Sequence, residues 1–279
     1  MRFEKWQALG NDYVIAEAGE LPWGLSAERV QRICDQHFGI GADGVLLLSR
    51  PDGGDEVAQL RIFNPDGSEA ELSGNGAREA ALYLRRAGWT DGDEFTILTA
   101  AGPIRPTILS ETECAMDLGR ASTASADFPT GSPDGRGELE AGGRTWSFRH
   151  VSIGNPQCVI EVGGEVERLD LAALGPQIER DRLFPNRTNV SFTRRQGSTV
   201  RARIFERGVG ETLSSGTGAC GAAVAAVLAG AQSPVTVQLD GGELTVEVSR
   251  DLHVRLTGAA EPVFAGEMSG ALLNALAAL

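Results

Sequence analysis

The chain has 279 residues, of which 42% are hydrophobic and 23% charged, and its formal net charge is −13. This length is sufficient for two domains that each bury a core of their own. The negative charge argues against a nucleic-acid partner, because the phosphate backbone repels an acidic surface. No apolar run is long enough to span a bilayer and the N-terminus lacks the apolar centre of a signal peptide, so a soluble, cytoplasmic protein without a membrane partner is expected.

Residues that could hold a metal, a disulfide or a cofactor are few. The four cysteines lie far apart, which predicts reduced thiols, and the three histidines are not spaced as metal ligands, so no metal site is expected. Lys5 is the only lysine. A pyridoxal phosphate enzyme needs a lysine for its Schiff base, so chemistry at an amino-acid α-carbon would here proceed without that cofactor.

The first half of the chain is predicted to consist mainly of strands around one long helix. In its N-terminal segment, apolar and polar residues alternate on both sides of a turn at Gly10-Asn11-Asp12, which predicts a hairpin. An amphipathic helix follows, with Ser26 as N-cap and Gly39 as its C-terminal stop. The long helix is predicted from about Asn75 to Arg86. Further strands are predicted at GVLLLSR, AQLRIFN, EFTILTA, IRPTILS and ECAMDLG.

The second half repeats this plan after residues 119–143, whose turn formers predict a linker and a surface hairpin. A short helix is predicted around Leu169 to Arg180, and the apolar run GACGAAVAAVLAG predicts a buried helix. Seven strands are predicted at TWSFRHVSIG, CVIEVGG, TNVSFTR, TVRARIFER, VTVQLDG, ELTVEVS and LHVRLTG. The C-terminal segment 263–279 predicts a helix that packs back on the first half.

An internal repeat links the two halves. Residues 61–81, RIFNPDGSEAELSGNGAREAA, recur as residues 203–223, RIFERGVGETLSSGTGACGAA. The pairs LGNDYVI and IGNPQCVI, and TILTAAGPIRPTI and TVQLDGGELTVEV, follow at nearly the same offset. The order of elements is therefore kept through most of each half, which predicts two like-folded domains rather than a short solenoid repeat.

Both repeats open a helix at Ser-Gly-x-Gly. Ser73 and Ser215 stand at the same point of the repeat, directly before glycine. The first N–H groups of a helix have no intrahelical acceptor and lie at the positive end of its dipole, so each start is suited to a carboxylate or phosphate. Either serine alone is more often a plain N-cap. Two equivalent starts facing one ligand would suit chemistry on both faces of one carbon.

Six blocks in order resemble the diaminopimelate epimerase family: LGNDYVI, HFGIGADGVLLL, NPDGSEAELSGNGAR, SIGNPQCVI, FPNRTNVSF and FERGVGETLSSGTGAC. The resemblance covers essentially the whole chain. It implies an α/β (α+β) fold of two pseudo-symmetric domains, each a strongly curved sheet around a central helix. The domains would be residues 1–117, with helix 263–279 added, and residues 118–262. It further implies a homodimer, no cofactor and a site in the cleft between the domains.

The resemblance also implies which residues handle the substrate. Four asparagines would hold or position its distal polar end, namely Asn11, Asn64, Asn155 and Asn189. Glu206 and Arg207 match an acidic and a basic substrate contact. Gly74-Asn75 and Gly216-Thr217 match the backbone cradles of the reacting α-carboxylate. The reaction implied is inversion of the α-carbon of an amino diacid, LL- to meso-diaminopimelate, in the supply of lysine and peptidoglycan precursors.

The chain departs from the family at the two proton-transferring positions. The family uses two cysteines, whose pKa a helix start brings into the working range. Here Ser73 and Ser215 stand at those positions as the candidate catalytic residues, and Gln157 replaces the histidine expected beside one of them. Cys220 lies one and a half helical turns after Ser215, so it is predicted to face away and belong to the core.

Three explanations of the serines stay open on the sequence alone. The thiols could have been replaced deliberately, which would give a protein that binds substrate without turning it over. The chain could have diverged naturally toward another reaction or toward binding alone, which also accommodates Gln157. An active enzyme that uses two serines is the third, and the weak acidity of a hydroxyl argues against it. The expected function is the epimerase, and a catalytically silent or diverged homologue is the alternative.

Overall fold

The computed structural model describes residues 1–51 and 53–279, and the chain divides into two compact units. The first unit comprises Met1–Met116 and Gly258–Leu279, and the second comprises Asp117–Thr257. Each has a sheet and one long, buried helix. The α/β fold class with two like-built halves is therefore confirmed.

The elements of the first part of the chain are strands with two helices between them. In chain order they are β1 (Arg2–Ala8), β2 (Asn11–Glu17), α1 (Ala27–Cys34), β3 (Val45–Ser49), β4 (Ala58–Phe63), β5 (Glu69–Ala70), α2 (Gly74–Arg86), β6 (Ile97–Thr99), β7 (Gly102–Ile104), β8 (Pro106–Ile108) and β9 (Glu113–Arg120). A short 3-10 helix, Ala18–Glu20, follows β2.

The rest of the chain repeats this order and adds a terminal strand and helix. Its elements are β10 (Arg136–Ala141), β11 (Arg144–Ser152), β12 (Pro156–Glu161), α3 (Leu171–Glu179), β13 (Asn189–Gln196), β14 (Thr199–Glu206), β15 (Gly210–Thr212), α4 (Gly216–Leu228), β16 (Val235–Leu239), β17 (Gly242–Val248), β18 (His253–Ala259), β19 (Glu261–Glu267) and α5 (Gly270–Ala277). A second 3-10 helix, Val166–Arg168, precedes α3.

The two sheets share one strand order. The first runs β19-β1-β2-β3-β4-β6-β7, and the short β5 pairs with β4. The second runs β10-β11-β12-β13-β14-β16-β17-β18-β9-β8, and β15 pairs with β14. In the first sheet β2 and β3 are parallel, as are β4 and β6. The equivalent pairs of the second sheet, β12 with β13 and β14 with β16, are parallel too.

The central helices are buried, and most of their side chains are small or apolar. Ten consecutive residues of α2, from Asn75 to Leu84, are buried. Trp6, Leu46 and Leu60 pack with this helix in the core of the first unit. In the second unit α4 packs against β12, β14, β16 and β17. Its many alanines let the helix lie close to the strands, and the fully buried Cys220 belongs to this core as predicted.

Three boundaries differ from the sequence-based predictions. The first turn consists of Leu9 and Gly10, with φ of 54° and 84°, because a two-residue hairpin needs left-handed backbone at both positions. Helix α1 keeps Ser26 as its N-cap but ends at Cys34, well before Gly39. The carboxylate of Asp35 accepts the N–H groups of His37 and Phe38, and this local turn replaces the next helical turn.

The third difference is at the C-terminus. The helix predicted over 263–279 begins only at Gly270, with Ser269 as its N-cap. Residues Glu261–Glu267 form β19 and pair antiparallel with β1, where the Phe3 and Phe264 rings meet edge to face at 5.8 Å. Helix α5 does pack in the first unit, where Leu276 is buried beside Val30 and Ile33.

Candidate functional site

The start of α2 is held by side-chain hydrogen bonds to its N-cap. Ser73 is extended, and its hydroxyl accepts the N–H of Gly76 at 3.1 Å. The hydroxyl of Tyr13 donates to the same oxygen at 3.3 Å. The Tyr13 ring is buried, whereas Ser73 is only half-buried. Ser73 therefore occupies a fixed position at the surface end of a buried helix.

Asn75 and Asn11 lie beside Ser73 and are fixed by the same helix. The Asn75 amide donates to the Asn11 side-chain oxygen at 3.3 Å, and Asn11 donates to Asp43 at 3.0 Å. Arg78 is fully buried and donates to the Asn75 side-chain oxygen at 2.7 Å and to the Gly74 carbonyl at 3.1 Å. The predicted site residues Asn11, Ser73, Gly74 and Asn75 are thus brought together.

Asn64 is held separately, in the turn that follows β4. Its side chain donates to the Ser68 hydroxyl at 2.9 Å, and its backbone N–H donates to the Ser68 carbonyl at 2.8 Å. Gly67 closes the turn with a hydrogen bond to the Asn64 carbonyl. Asn64 is therefore part of a rigid turn between β4 and β5 rather than of the Ser73 hydrogen-bond network.

The start of α4 in the second unit has the same N-cap but different neighbours. The Ser215 hydroxyl accepts the N–H of Gly218 at 3.3 Å, and the residue is buried. The carboxyl of Glu206 accepts a hydrogen bond from the Thr212 hydroxyl at 2.8 Å. Burial raises the pKa of Glu206, and the hydroxyls of Thr212 and Ser215 lower it in part. A carboxyl group able to accept a proton is thus coupled to Ser215.

Gln157 lies at the beginning of β12, and its hydrogen bonds link this strand to the start of α4. Its side-chain N–H donates to Asn155 at 2.7 Å and to the Thr217 hydroxyl at 3.4 Å, and Asn155 donates to Thr217 at 3.2 Å. Gln157 is fully buried. A Cβ at Gly221 would lie 2.8 Å from its Cγ, so glycine is required there for the glutamine to fit.

Asn189 positions the loop that carries Arg207. Its side-chain oxygen accepts the backbone N–H of Arg207 at 2.8 Å, and its amide donates to the Pro156 carbonyl at 3.2 Å. The Arg207 guanidinium is exposed and donates to the Asn186 carbonyl at 2.9 Å. The second unit thus places the acidic Glu206 near the start of α4 and the basic Arg207 on the loop that Asn189 positions.

No group of three or more His, Cys, Asp or Glu that could hold a metal occurs in residues 1–51 and 53–279. Within that same part of the chain, no helix is both long and apolar enough to cross a membrane. All four cysteines are buried and none forms a disulfide.

Three residues of this site were not predicted from the sequence. Tyr13 contacts Ser73, Arg78 fixes Asn75, and Glu79 follows on α2 as a fully buried carboxyl. Tyr13 could have been found, because it stands opposite Gln157 when LGNDYVI is aligned with IGNPQCVI. The alternation of charge and alanine in GAREAALYL gives no such signal for Arg78 or Glu79.

Comparison with known proteins gives the family. A family model described as diaminopimelate epimerase matches residues 3–124 and 149–263. A diaminopimelate epimerase of Synechococcus sp. (strain JA-3-3Ab) is 42% identical over 278 residues, which cover 95% of this chain and 97% of that relative. One of Moorella thermoacetica is 41% identical over 283 residues, covering 96% and 99%.

Two solved structures have the same fold. A hydroxyproline epimerase from Agrobacterium vitis superposes with a TM-score of 0.67 at 16% identity, covering 95% of this chain and 91% of that one. A phenazine biosynthesis protein from Bacillus anthracis superposes with a TM-score of 0.62 at 16% identity, covering 96% and 99%. These identities are low, so the likeness establishes the fold alone. With the family model matched over most of the chain and relatives above 40% identity, the chain belongs to the diaminopimelate epimerase family.

Proposed function

We infer that the protein is a cofactor-independent epimerase that inverts an α-carbon of diaminopimelate between the LL and meso forms. The observation that carries this inference is the pair of equivalent helix starts, at Ser73 on α2 and at Ser215 on α4. Epimerisation needs one group to remove the α-proton and another to return a proton to the opposite face. The duplicated starts provide one hydroxyl for each of these steps.

Each helix start is suited to bind a substrate carboxylate through its first backbone N–H groups. Gly74-Asn75 and Gly216-Thr217 occupy these first turns. Removal of the α-proton leaves negative charge on the α-carbon and its carboxylate, and the positive ends of two helix dipoles favour that charge. The same groups would therefore bind the ground state and stabilise the transition state more strongly.

The polar side chains around the helix starts would recognise the rest of the amino diacid. Glu206 is suited to an ammonium group and Arg207 to a carboxylate, because each supplies the opposite charge. Asn11 and Asn155 lie beside the first turns of their helices. We propose Asn64 and Asn189 for the distal amino and carboxylate groups, and Gln157 as support for Asn155 and Thr217.

Ser215 would act together with Glu206. A serine hydroxyl is a weak base, but a hydroxyl that passes its own proton to a carboxylate can accept one from carbon. Glu206 has a raised pKa because it is buried, and the nearby Ser215 hydroxyl opposes this only in part. It would therefore store the abstracted proton more readily than an exposed glutamate would.

The test is α-hydrogen exchange in heavy water. The purified protein is incubated with LL- or meso-diaminopimelate, and loss of the α-proton and inversion are followed by NMR and chiral chromatography. We expect deuterium at the inverted centre with either isomer. Binding of diaminopimelate, seen as thermal stabilisation, without any exchange would instead identify a silent homologue that only binds the ligand.

We also propose a homodimer in the cytoplasm. Among the residues that the structure describes, strand β19 is the outer strand of the first sheet and has β1 as its one neighbour. It exposes Val263 and Phe264, which are 53% and 45% exposed. An outer strand with exposed apolar side chains is suited to a second copy of the same chain. Four cysteines without a disulfide suit a reducing compartment.

A further inference from the structure

An open cavity lies within the second unit, between α4 and the strands β10 to β14. Its volume is about 560 Å³, which is in the usual range of ligand pockets. From α4 it is lined by residues between Ala222 and Ala229. Because an α-helix rises 1.5 Å per residue, these residues lie about 10 to 20 Å along the helix axis from Ser215. The cavity is therefore separate from the start of α4.

The floor of the cavity is apolar. Val159 and Val200 line it from the strands, and Ala222 and Ala225 line it from α4. All four are buried. The alanine side chains end at Cβ, so they leave open the space that longer side chains on α4 would fill. An apolar group of a ligand could therefore be buried against this floor, with the gain in free energy that removal of apolar surface from water brings.

Two arginines stand directly opposite each other in the wall of the cavity. Arg136 of β10 and Arg149 of β11 are partners in the antiparallel register, and both line the cavity. Like charges at directly opposite positions of a sheet destabilise it. Burial and the nearby Arg136 lower the pKa of Arg149. A carboxylate or phosphate between the two guanidinium groups would remove this repulsion, because guanidinium binds both anions through paired hydrogen bonds.

Two of the acidic side chains that line the cavity already have a cationic partner. The Asp134 carboxylate lies 3.3 Å from Nε of Arg136, and the Glu161 carboxylate lies 3.5 Å from Nε of Arg195. The third acidic side chain, Glu138, accepts a hydrogen bond from the Ser147 hydroxyl at 3.3 Å.

Arg149 is the cation of the cavity that has no such partner. Within residues 1–51 and 53–279, its guanidinium forms neither a hydrogen bond nor an ion pair, although Asp134 attracts it from a longer distance. In the same part of the chain, the buried Nε of Arg195 also lacks a hydrogen-bond partner. The donors that remain unused in this cavity are therefore those that an anion would accept from.

We propose that this cavity binds a small organic anion, a carboxylate or a phosphate ester, with its charged group between Arg136 and Arg149 and its apolar body on the floor. The site lies within one unit and does not depend on the proposed epimerase function. A ligand with both parts is expected to bind more tightly than either part alone, because the guanidinium groups and the apolar floor contact different parts of it.

The test uses phenyl phosphate and benzoate as probes of the full chain. Both carry an anionic group on an aromatic ring, and they distinguish a phosphate ester from a carboxylate. Inorganic phosphate and benzyl alcohol are the controls, because the first lacks the ring and the second lacks the charge. Isothermal titration calorimetry measures the affinity, and shifts of backbone amide resonances in NMR spectra locate the bound probe.

We expect phenyl phosphate, benzoate or both to bind more tightly than the two controls do. The amide resonances of Val159, Thr193 and Ala225 should shift, because these residues line the cavity. Tighter binding of phenyl phosphate would assign a phosphate ester as the ligand, and tighter binding of benzoate would assign a carboxylate.

Arg149→Gln should weaken binding of the preferred probe about tenfold or more, because it removes hydrogen bonds to a charged group. The variant also removes the repulsion with Arg136, so the fold should be retained. Arg194→Gln is the matched control. It removes the same charge from an exposed position of β13 outside the cavity lining, and it should leave the affinity nearly unchanged.

A second variant, Ala225→Leu, tests the apolar floor. Leucine would fill the space beside α4, so phenyl phosphate should lose its advantage over inorganic phosphate while the arginines stay in place. This variant tests the site independently of the charge change at Arg149.

Three results overturn the proposal. The first is that neither probe binds at millimolar concentration. The second is that Arg149→Gln and Arg194→Gln bind the probe equally well. The third is that inorganic phosphate binds as tightly as phenyl phosphate, or that the amide shifts are confined to the helix starts at Gly74 and Gly216. The proposed function survives each of these results, because α-hydrogen exchange is measured separately.

Discussion

At the scale of single residues, the proposed reaction depends on the serines at 73 and 215. Both are N-caps that accept a backbone N–H three residues later. Their neighbours differ, because the Tyr13 hydroxyl contacts Ser73, whereas the Glu206 carboxyl lies near Ser215. A hydroxyl needs such a partner to transfer a proton at neutral pH, whereas a thiol at a helix start is acidic enough to do so with less help.

We therefore predict that Ser73→Cys combined with Ser215→Cys raises the rate of epimerisation by at least about 100-fold. The helix starts and the surrounding asparagines stay unchanged, so KM should change little. The rate of inversion of LL-diaminopimelate is the measurement. Ser214→Cys is the control, because it adds a thiol next to Ser215 at an equally buried position. A double variant that binds diaminopimelate but is no faster than the unmodified protein would contradict the prediction.

At the scale of an element, α2 combines the helix start at Ser73 with an ionisable residue, Glu79, in the core. Glu79 is a fully buried carboxyl in the middle of α2. Burial raises the pKa of Glu79 well above its usual range, and the nearby Arg78 only partly opposes this. Folding therefore makes the Glu79 carboxyl harder to ionise, whereas the unfolded chain ionises it at its ordinary pKa. Because the folded pKa is the higher of the two, Glu79 favours folding least at high pH, and stability falls as the pH rises from the unfolded pKa through the folded one.

We predict that Glu79→Gln removes this dependence. Glutamine has the shape of the neutral acid and does not ionise, so at pH 8 the free energy of unfolding should exceed that of the unmodified protein. At pH 5 the difference should be smaller. Urea unfolding at several pH values measures it, and Glu71→Gln, at an exposed position just before α2, is the control. If the free energy of unfolding depends equally on pH in the Glu79 variant and the unmodified protein, the pKa of Glu79 is not raised by folding.

The strands and helices were largely predictable, because they depend on patterns local in sequence. Ser26, Ser73 and Ser215 are N-caps as their sequences indicate. Contacts between distant segments were not predictable in the same way. Strand β19 exists because it pairs with β1 at the other end of the chain, and its apolar residues continue without a break into the helical pattern of α5. The hydrogen bond from Tyr13 to Ser73 joins residues 60 positions apart.

At the scale of the whole molecule, the duplicated strand order was indicated by the sequence repeat. Strands β1 to β4, β6 and β7 follow the same path in the first sheet as β11 to β14, β16 and β17 follow in the second. Each path carries a short extra strand and a buried helix that begins at Ser-Gly-x-Gly. Strand β19 is the outer strand beside β1, as β10 is beside β11, and its exposed Val263 and Phe264 are the surface that we assign to self-association.

We predict that Val263→Lys combined with Phe264→Lys converts a dimer into a monomer. Lysine on an outer strand prevents further strand pairing, because its charge would be buried there. Sedimentation velocity measures the change. Leu109→Lys is the control, because Leu109 is 50% exposed in the same unit but lies outside β19. A variant that stays dimeric would place the interface elsewhere, and an unmodified protein that is monomeric would remove the homodimer proposal.

The most direct measurement is α-hydrogen exchange in heavy water by the single variants Ser73→Ala and Ser215→Ala, each given LL- and meso-diaminopimelate. If the two helix starts serve opposite faces of one carbon, neither variant inverts either isomer. Each should still exchange one isomer, and the isomer that Ser73→Ala exchanges should be the one that Ser215→Ala does not. Inversion at the unmodified rate by either variant, or exchange of the same isomer by both, would contradict a reaction shared between Ser73 and Ser215.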